Sequence, residues 1–132
     1  MKREMNRRNI LILDPEQDMS AIFARALEAR KDCKCYWASK EEEAVTLLKD
    51  IHFDLALIDA AMVMNGNFSL LKRLLRQYPD LIIVIDAYLH QKEYVCKAIE
   101  LGAKGYIIKP VKIHDLRKKI DEYLILPENS LT

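Results

Sequence analysis

The sequence predicts an α/β fold: a single-domain (βα)5 arrangement around one doubly wound parallel sheet. Three observations predict it. Short apolar runs rich in Ile, Leu and Val alternate with stretches of helical period along the whole chain. Most of these runs are continuously apolar, which suits strands covered on both faces. Three of them end in one charged residue, namely Asp14, Asp59 and Lys109. An open parallel sheet binds its ligands just outside the carboxyl ends of its strands.

The elements follow in order. Asn9 to Leu13 is the first strand, ending at Asp14. Met19, Ile22, Phe23, Ala26 and Leu27 then form a helical stripe. Cys33 to Trp37 alternates enough for a half-exposed edge strand. Ser39, with Glu42 three residues on, reads as a capping box. Ala44, Leu47, Leu48 and Ile51 give that second helix its buried face. Leu55 to Ile58 is the third strand, ending at Asp59.

A loop through Ala60 to Asn67 leads to the stripe Phe68, Leu71, Leu74, Leu75 and Tyr78, which Pro79-Asp80 breaks. Leu81 to Ile85 is the fourth strand. A fourth helix near Lys92 to Leu101 stops at Gly102, a residue suited to a left-handed C′ position. Gly105 to Ile108 is the fifth strand, followed by Lys109. Ile113, Leu116, Ile120, Tyr123 and Leu124 mark the fifth helix. Strict alternation argues for helices on both faces of a parallel sheet.

Bulk properties bound the function. A chain of 132 residues, 51% hydrophobic and 31% charged, is long enough for one proper core. A net charge of +1 gives no global pull toward nucleic acid or anionic membrane. Residues 1–8 read as a flexible basic tail, 9–125 as the folded domain, and 126–132 as a C-terminal tail or linker stub. No apolar stretch approaches the roughly 20 residues of a membrane span. Three cysteines, an odd and sparse set, fit a reducing cytoplasm better than a disulfide framework. Cys33 and Cys35 make an incomplete metal-ligand set, and no Ser/His/Asp arrangement is apparent.

The segment Gly102-Ala103-Lys104-Gly105-Tyr106-Ile107-Ile108-Lys109-Pro110 is the most specific motif. With Phe53 to Asp59 followed by Met62, and with Ile10 to Asp14, it resembles the CheY-like receiver domain of two-component response regulators over about residues 9 to 125. The resemblance implies a flavodoxin-like sheet of order 2-1-3-4-5. It implies that Asp59 accepts a phosphoryl group and that Asp14, Asp59 and the Ala61 carbonyl bind Mg²⁺. It implies that Lys109 pairs with Asp59 and then with phosphoryl oxygens, that Tyr106 is an aromatic switch, and that a cis bond precedes Pro110. The implied donor is a histidine kinase or phosphotransfer protein. A downstream protein effector would read the face of the fourth helix, fifth strand and fifth helix, and a homodimer is a further assembly it admits. It implies action through protein contact, without direct nucleic-acid binding, and no enzymatic role beyond self-phosphorylation and autodephosphorylation at Asp59.

The chemistry agrees. Phosphoryl transfer needs positioning and charge neutralisation more than covalent machinery. Mg²⁺ takes hard oxygen ligands and keeps waters, so one or two carboxylates suffice. Lysine is a compact point charge suited to a phosphoryl oxygen.

Two positions depart from the family pattern. The acidic pair after the first strand is Asp14-Pro15, so one carboxylate is missing and weaker Mg²⁺ binding is expected. Glu16 either supplies a ligand instead or favours the first helical turn as an N-terminal acid. The family's Thr or Ser at the end of the fourth strand is replaced by either Asp86 or Ala87, depending on how the segment is aligned. Asp86, pointing inward, would repel a phosphoryl group or restore the lost carboxylate. The second reading is therefore a pseudo-receiver, a phosphorylation-independent interaction module. A flavodoxin-like cofactor enzyme is a third, opposed by Asp14-Pro15-Glu16, which puts negative charge where a cofactor phosphate would sit. Losing Lys109 is expected to disturb the pocket more than the fold.

Overall fold

A computed structural model describes residues 7–30 and 32–125. Strand β1 (Arg8–Leu13) leads to helix α1 (Gln17–Glu28), then β2 (Cys33–Ala38), α2 (Glu41–Asp50) and β3 (Leu55–Asp59). A short helix α3 (Ala60–Met64), a 3-10 turn (Asn65–Phe68) and α4 (Ser69–Gln77) follow. Then come β4 (Ile82–Tyr88), a second 3-10 turn (Leu89–Gln91), α5 (Lys92–Leu101), β5 (Gly105–Lys109) and α6 (Ile113–Leu124). The five strands form one sheet in the order β2-β1-β3-β4-β5, and every pairing is parallel. This is the doubly wound α/β fold that the alternation of elements predicts, in the strand order that the resemblance implies.

Two apolar layers flank the sheet, because successive strand residues point to opposite faces. Leu11, Leu13, Ala56, Ile58, Ile83 and Ile85 pack with Ala44, Leu48, Leu71, Leu74 and Ala98 of α2, α4 and α5. Ile10, Ile12, Leu55, Leu57, Val84 and Ile107 pack with Phe23, Leu27, Leu116 and Ile120 of α1 and α6. Ile10 to Leu13 and Leu55 to Ile58 are fully buried, which explains their unbroken apolar sequence. Each large side chain buried this way contributes about 1.5–3 kcal/mol of transfer free energy. Gly105 stands where β5 passes under α6; a Cβ there would collide with the Tyr123 ring.

Several local expectations need correction. Arg8 lies in β1 rather than in a tail: its N–H donates to the Asp32 carbonyl at 2.7 Å and its guanidinium to the Leu124 carbonyl at 3.2 Å. Arg7 is exposed and precedes the strand, and residues 1–6 and 126–132 of the expected tails lie outside the described residues. Ile22 is 51% exposed and Ile113 is 48% exposed. The buried face of α1 runs instead through Ser20, Phe23, Ala26 and Leu27, and Ile113 is the first residue of α6, one turn before its buried face begins at Leu116.

The cap before α2 is shifted by one residue: Glu43, not Glu42, accepts from the Ser39 N–H at 2.7 Å and from its hydroxyl at 2.9 Å. The loop expected from Ala60 contains α3, which is too short to show a period. Its N-cap is Asp59, whose side chain accepts from the Ala61 N–H. Gly66, Asn67 and Phe68 then carry positive φ values of 62°, 56° and 66°. Phe68 bears an unfavourable backbone there while its ring is buried against the core.

Candidate functional site

The site grows from strand ends. Asp14 follows β1 directly, and its N–H donates to the Ala38 carbonyl at 3.1 Å. Asp59 ends β3 and stands in register with Asp86 on β4. Lys109 ends β5, opposite Tyr88. Because strand β4 runs three residues beyond the apolar run Leu81 to Ile85, Asp86 is carried into the sheet beside Asp59. The alternative at this position is thereby decided: Asp86 enters the pocket, and Ala87 is buried in the apolar layer that contains α5.

Four charged groups meet out of solvent, with Asp14 1%, Asp59 7%, Asp86 0% and Lys109 4% exposed. The Lys109 Nζ donates to Asp59 Oδ1 at 2.8 Å. It also lies 2.9 Å from Asp86 Oδ1, as an ion pair without hydrogen-bonding angles. The other Asp59 oxygen accepts from the Ala61 N–H at 3.0 Å. Asp14 Oδ1 accepts from the Glu16 N–H at 2.8 Å. Among the described residues, Asp14 Oδ2 and both Asp86 oxygens are buried and accept no hydrogen bond.

Protonation follows from this crowding. Burial pushes the Asp86 carboxyl up to about 7, against the opposing pull of Lys109. Burial also raises the Asp14 carboxyl, partly offset by the Glu16 N–H, with the Asp59 charge adding to the rise. For Lys109, burial disfavours the ammonium, but the Asp86 and Asp59 carboxylates outweigh it and hold its pKa above the ordinary value.

The donor set fits a hard divalent cation. Asp14, Asp59 and Asp86 each offer a carboxylate oxygen within 4.8 Å of the others. Buried carboxylate oxygens without donors are the ligands that Mg²⁺ or Mn²⁺ prefers. Three buried carboxylates against one ammonium leave negative charge to neutralise. Glu16 is exposed and outside this cluster; its backbone N–H, rather than its carboxylate, reaches Asp14.

Two aromatic neighbours were not legible as part of the site. The Tyr88 ring sits 4.6 Å from the Lys109 Nζ and stacks on His90. The Trp37 indole N–H donates to the Asp14 carbonyl at 2.9 Å, fastening the β1 end to β2. Tyr106 lies away from the acids, 44% exposed, with Lys119 Nζ 5.6 Å from its ring. It borders an apolar groove of about 360 Å³ lined by Leu89, Val95, Cys96, Ile99 and Ile108. The Lys109–Pro110 peptide bond is cis. No described helix is long and apolar enough to cross a membrane.

The chain is similar to known proteins. The sequence pattern described as the response regulator receiver domain matches residues 10–121. The chain is 31% identical over 103 residues to protein-glutamate methylesterase/protein-glutamine glutaminase 1 of Myxococcus xanthus (strain DK1622), covering 77% of this chain and 30% of that protein. It is 29% identical over 101 residues to Protein CcdB of Bacillus subtilis (strain 168), covering 76% of this chain and 84% of that protein. It spans 39% of the probable C4-dicarboxylate response regulator DctR of the same organism, at 26% identity over 67% of this chain. The chain thus spans well under half the length of two of these three relatives.

Among solved structures, a response regulator from Thermotoga maritima superposes with a TM-score of 0.79 at 24% identity, covering 89% of this chain and 98% of that one. A CheY-like receiver domain protein from Methanospirillum hungatei JF-1 gives 0.74 at 26% identity, covering 89% and 94%. With the sheet order, the strand-end acids and the family pattern all in agreement, the chain belongs to the response regulator receiver domain family of two-component signal transduction.

Proposed function

We propose that Asp59 accepts a phosphoryl group and that the resulting change is read by a protein partner on the face of α5, β5 and α6. The observation that carries this reading is the Lys109 ammonium held 2.8 Å from Asp59 Oδ1 at the mouth of a parallel sheet. In the reaction, an Asp59 carboxylate oxygen attacks phosphorus, and the donor's leaving group departs with the bonding electron pair. Lys109 is placed to follow the charge onto a phosphoryl oxygen. The Ala61 N–H fixes the carboxylate plane from the other side. A bound Mg²⁺ would neutralise charge on the phosphoryl oxygens, with Asp14, Asp59 and the Ala61 carbonyl as its proposed ligands. The donor class is a histidine kinase or phosphotransfer protein, and Tyr106, at the rim of the apolar groove, is the proposed switch.

Incubation with acetyl phosphate and Mg²⁺ is expected to add the mass of one phosphoryl group to the intact protein. Asp59→Asn is expected to abolish that gain. An unchanged mass for the parent protein after acetyl phosphate and Mg²⁺, together with no spectral shift on adding beryllofluoride, removes this reading.

A second reading is favoured by Asp86. A buried carboxylate paired with Lys109 occupies the side from which a phosphoryl oxygen would be held. Its charge opposes a phosphoryl dianion. On that reading the chain is a pseudo-receiver that signals by binding alone, and absence of phosphoryl uptake is its expected signature.

A further inference from the structure

We propose that Asp86 is a metal ligand, so that a hard divalent cation is held chiefly between Asp14 and Asp86 rather than between Asp14 and Asp59. The inference rests on the reading of this pocket as a cation site and reassigns its ligands. Asp59 has both oxygens engaged, Oδ1 by the Lys109 ammonium and Oδ2 by the Ala61 N–H. Asp14 has one engaged oxygen and one buried oxygen without a donor. Asp86 is fully buried; its Oδ1 is ion-paired with the Lys109 ammonium at 2.9 Å, and its Oδ2 has no partner among the described residues.

A buried carboxylate oxygen left bare is costly, and a metal ion is one of the few partners that removes the cost. Asp14 Oδ2 and Asp86 Oδ2 are therefore the oxygens of this cluster left without a hydrogen bond or an ion pair, and they are its free hard ligands. An oxygen of each carboxylate lies within 4.8 Å of the other, so a small closure of the two carboxylates brings both onto one ion. Pro15, next to Asp14, brings no carboxylate, so Asp86 supplies the second charge from across the sheet end. Lys109 remains between Asp59 and Asp86, leaving Asp59 in place to react.

Mn²⁺ is the probe, because it shares the oxygen-rich octahedral preference of Mg²⁺ and its free form is counted by electron paramagnetic resonance. Titrations compare the parent protein with Asp14→Asn, Asp59→Asn and Asp86→Asn, with Asp86→Ser as a second variant at the same position. Circular dichroism selects the folded ones. Asp86→Asn or Asp86→Ser is expected to raise the dissociation constant about tenfold or more, and by more than Asp59→Asn does.

A loss at Asp59 equal to or greater than that at Asp86 overturns the inference, as does a parent protein that binds no Mn²⁺. The phosphoryl reading is scored separately, by intact mass after acetyl phosphate treatment of the same preparations. Mass gain with the reverse order of ligands removes only the present inference. No mass gain with the expected order removes only phosphoryl acceptance.

Discussion

Replacing Lys109 with alanine is expected to lower the melting temperature by about 10–20 °C in the presence of a chelator, as for the loss of one partner from a buried charge pair. The sequence alone suggests a smaller effect on the fold, because a lysine following a strand reads as a rim residue. The geometry raises the figure. Lys109 is 4% exposed and is the cation that faces Asp59 and Asp86 at 2.8 and 2.9 Å. Without it, three buried carboxylates face each other with no counter-charge. Excess Mg²⁺ is expected to restore part of the loss, and so is Asp86→Asn in the same chain. A drop of only a few degrees in chelator would show that water reaches these carboxylates freely. Differential scanning calorimetry of the single and double variants, with and without Mg²⁺, supplies the measurement.

Stability is expected to rise, not fall, as pH is lowered from 8 to 5.5 without metal. The sign follows from Asp86, whose carboxyl is pushed from 3.8 up to about 7, chiefly by burial. Between those values the folded chain holds a proton that the unfolded chain has lost, so lowering the pH favours folding. Above about 7 both states are ionised and the cost of the buried charge is fully present. The raised Asp14 carboxyl acts in the same direction. Over this window Asp86 contributes about 2 kcal/mol, read as a shift in the urea midpoint.

Asp86→Asn is expected to flatten most of that dependence, and Mg²⁺ at pH 8 to mimic acid by neutralising the same charge. A parent protein that loses stability steadily from pH 8 to 5.5 contradicts the assignment. Lys109, with its pKa raised, behaves in the usual way for a paired base. Its contribution is complete below 10.5 and disappears only at strongly alkaline pH.

Much of this pocket was legible because a parallel sheet places strand-end residues at one mouth. Asp14, Asp59 and Lys109 each terminate an apolar run, and all three converge. Asp86 was ambiguous because β4 outlasts its own apolar run: Asp86-Ala87-Tyr88 looks like a loop but continues the ladder to β5. Register, a property of two strands, decides between Asp86 and Ala87, and neither strand states it alone. Tyr88 and Trp37 reach the site through a ring position and a backbone carbonyl, contacts that no one-dimensional spacing announces. Ile22 was misplaced for a simpler reason. Its apolar side chain suits the α1 stripe, but the buried face turns toward Ser20, whose hydroxyl is satisfied by the Glu16 carbonyl at 3.0 Å.

The groove beside Tyr106 has a practical corollary in thiol chemistry. Cys96 lines it and is exposed, while Cys33 is buried and Cys35 half-buried. Burial pushes those two thiols up to about 11 and about 12, so almost none of either is thiolate near neutrality. A maleimide dye or nitroxide added at pH 7.5 therefore meets one reactive sulfur, already seated on the surface where a partner would dock. The native chain carries its own attachment point for watching that encounter, with no cysteine to add or remove.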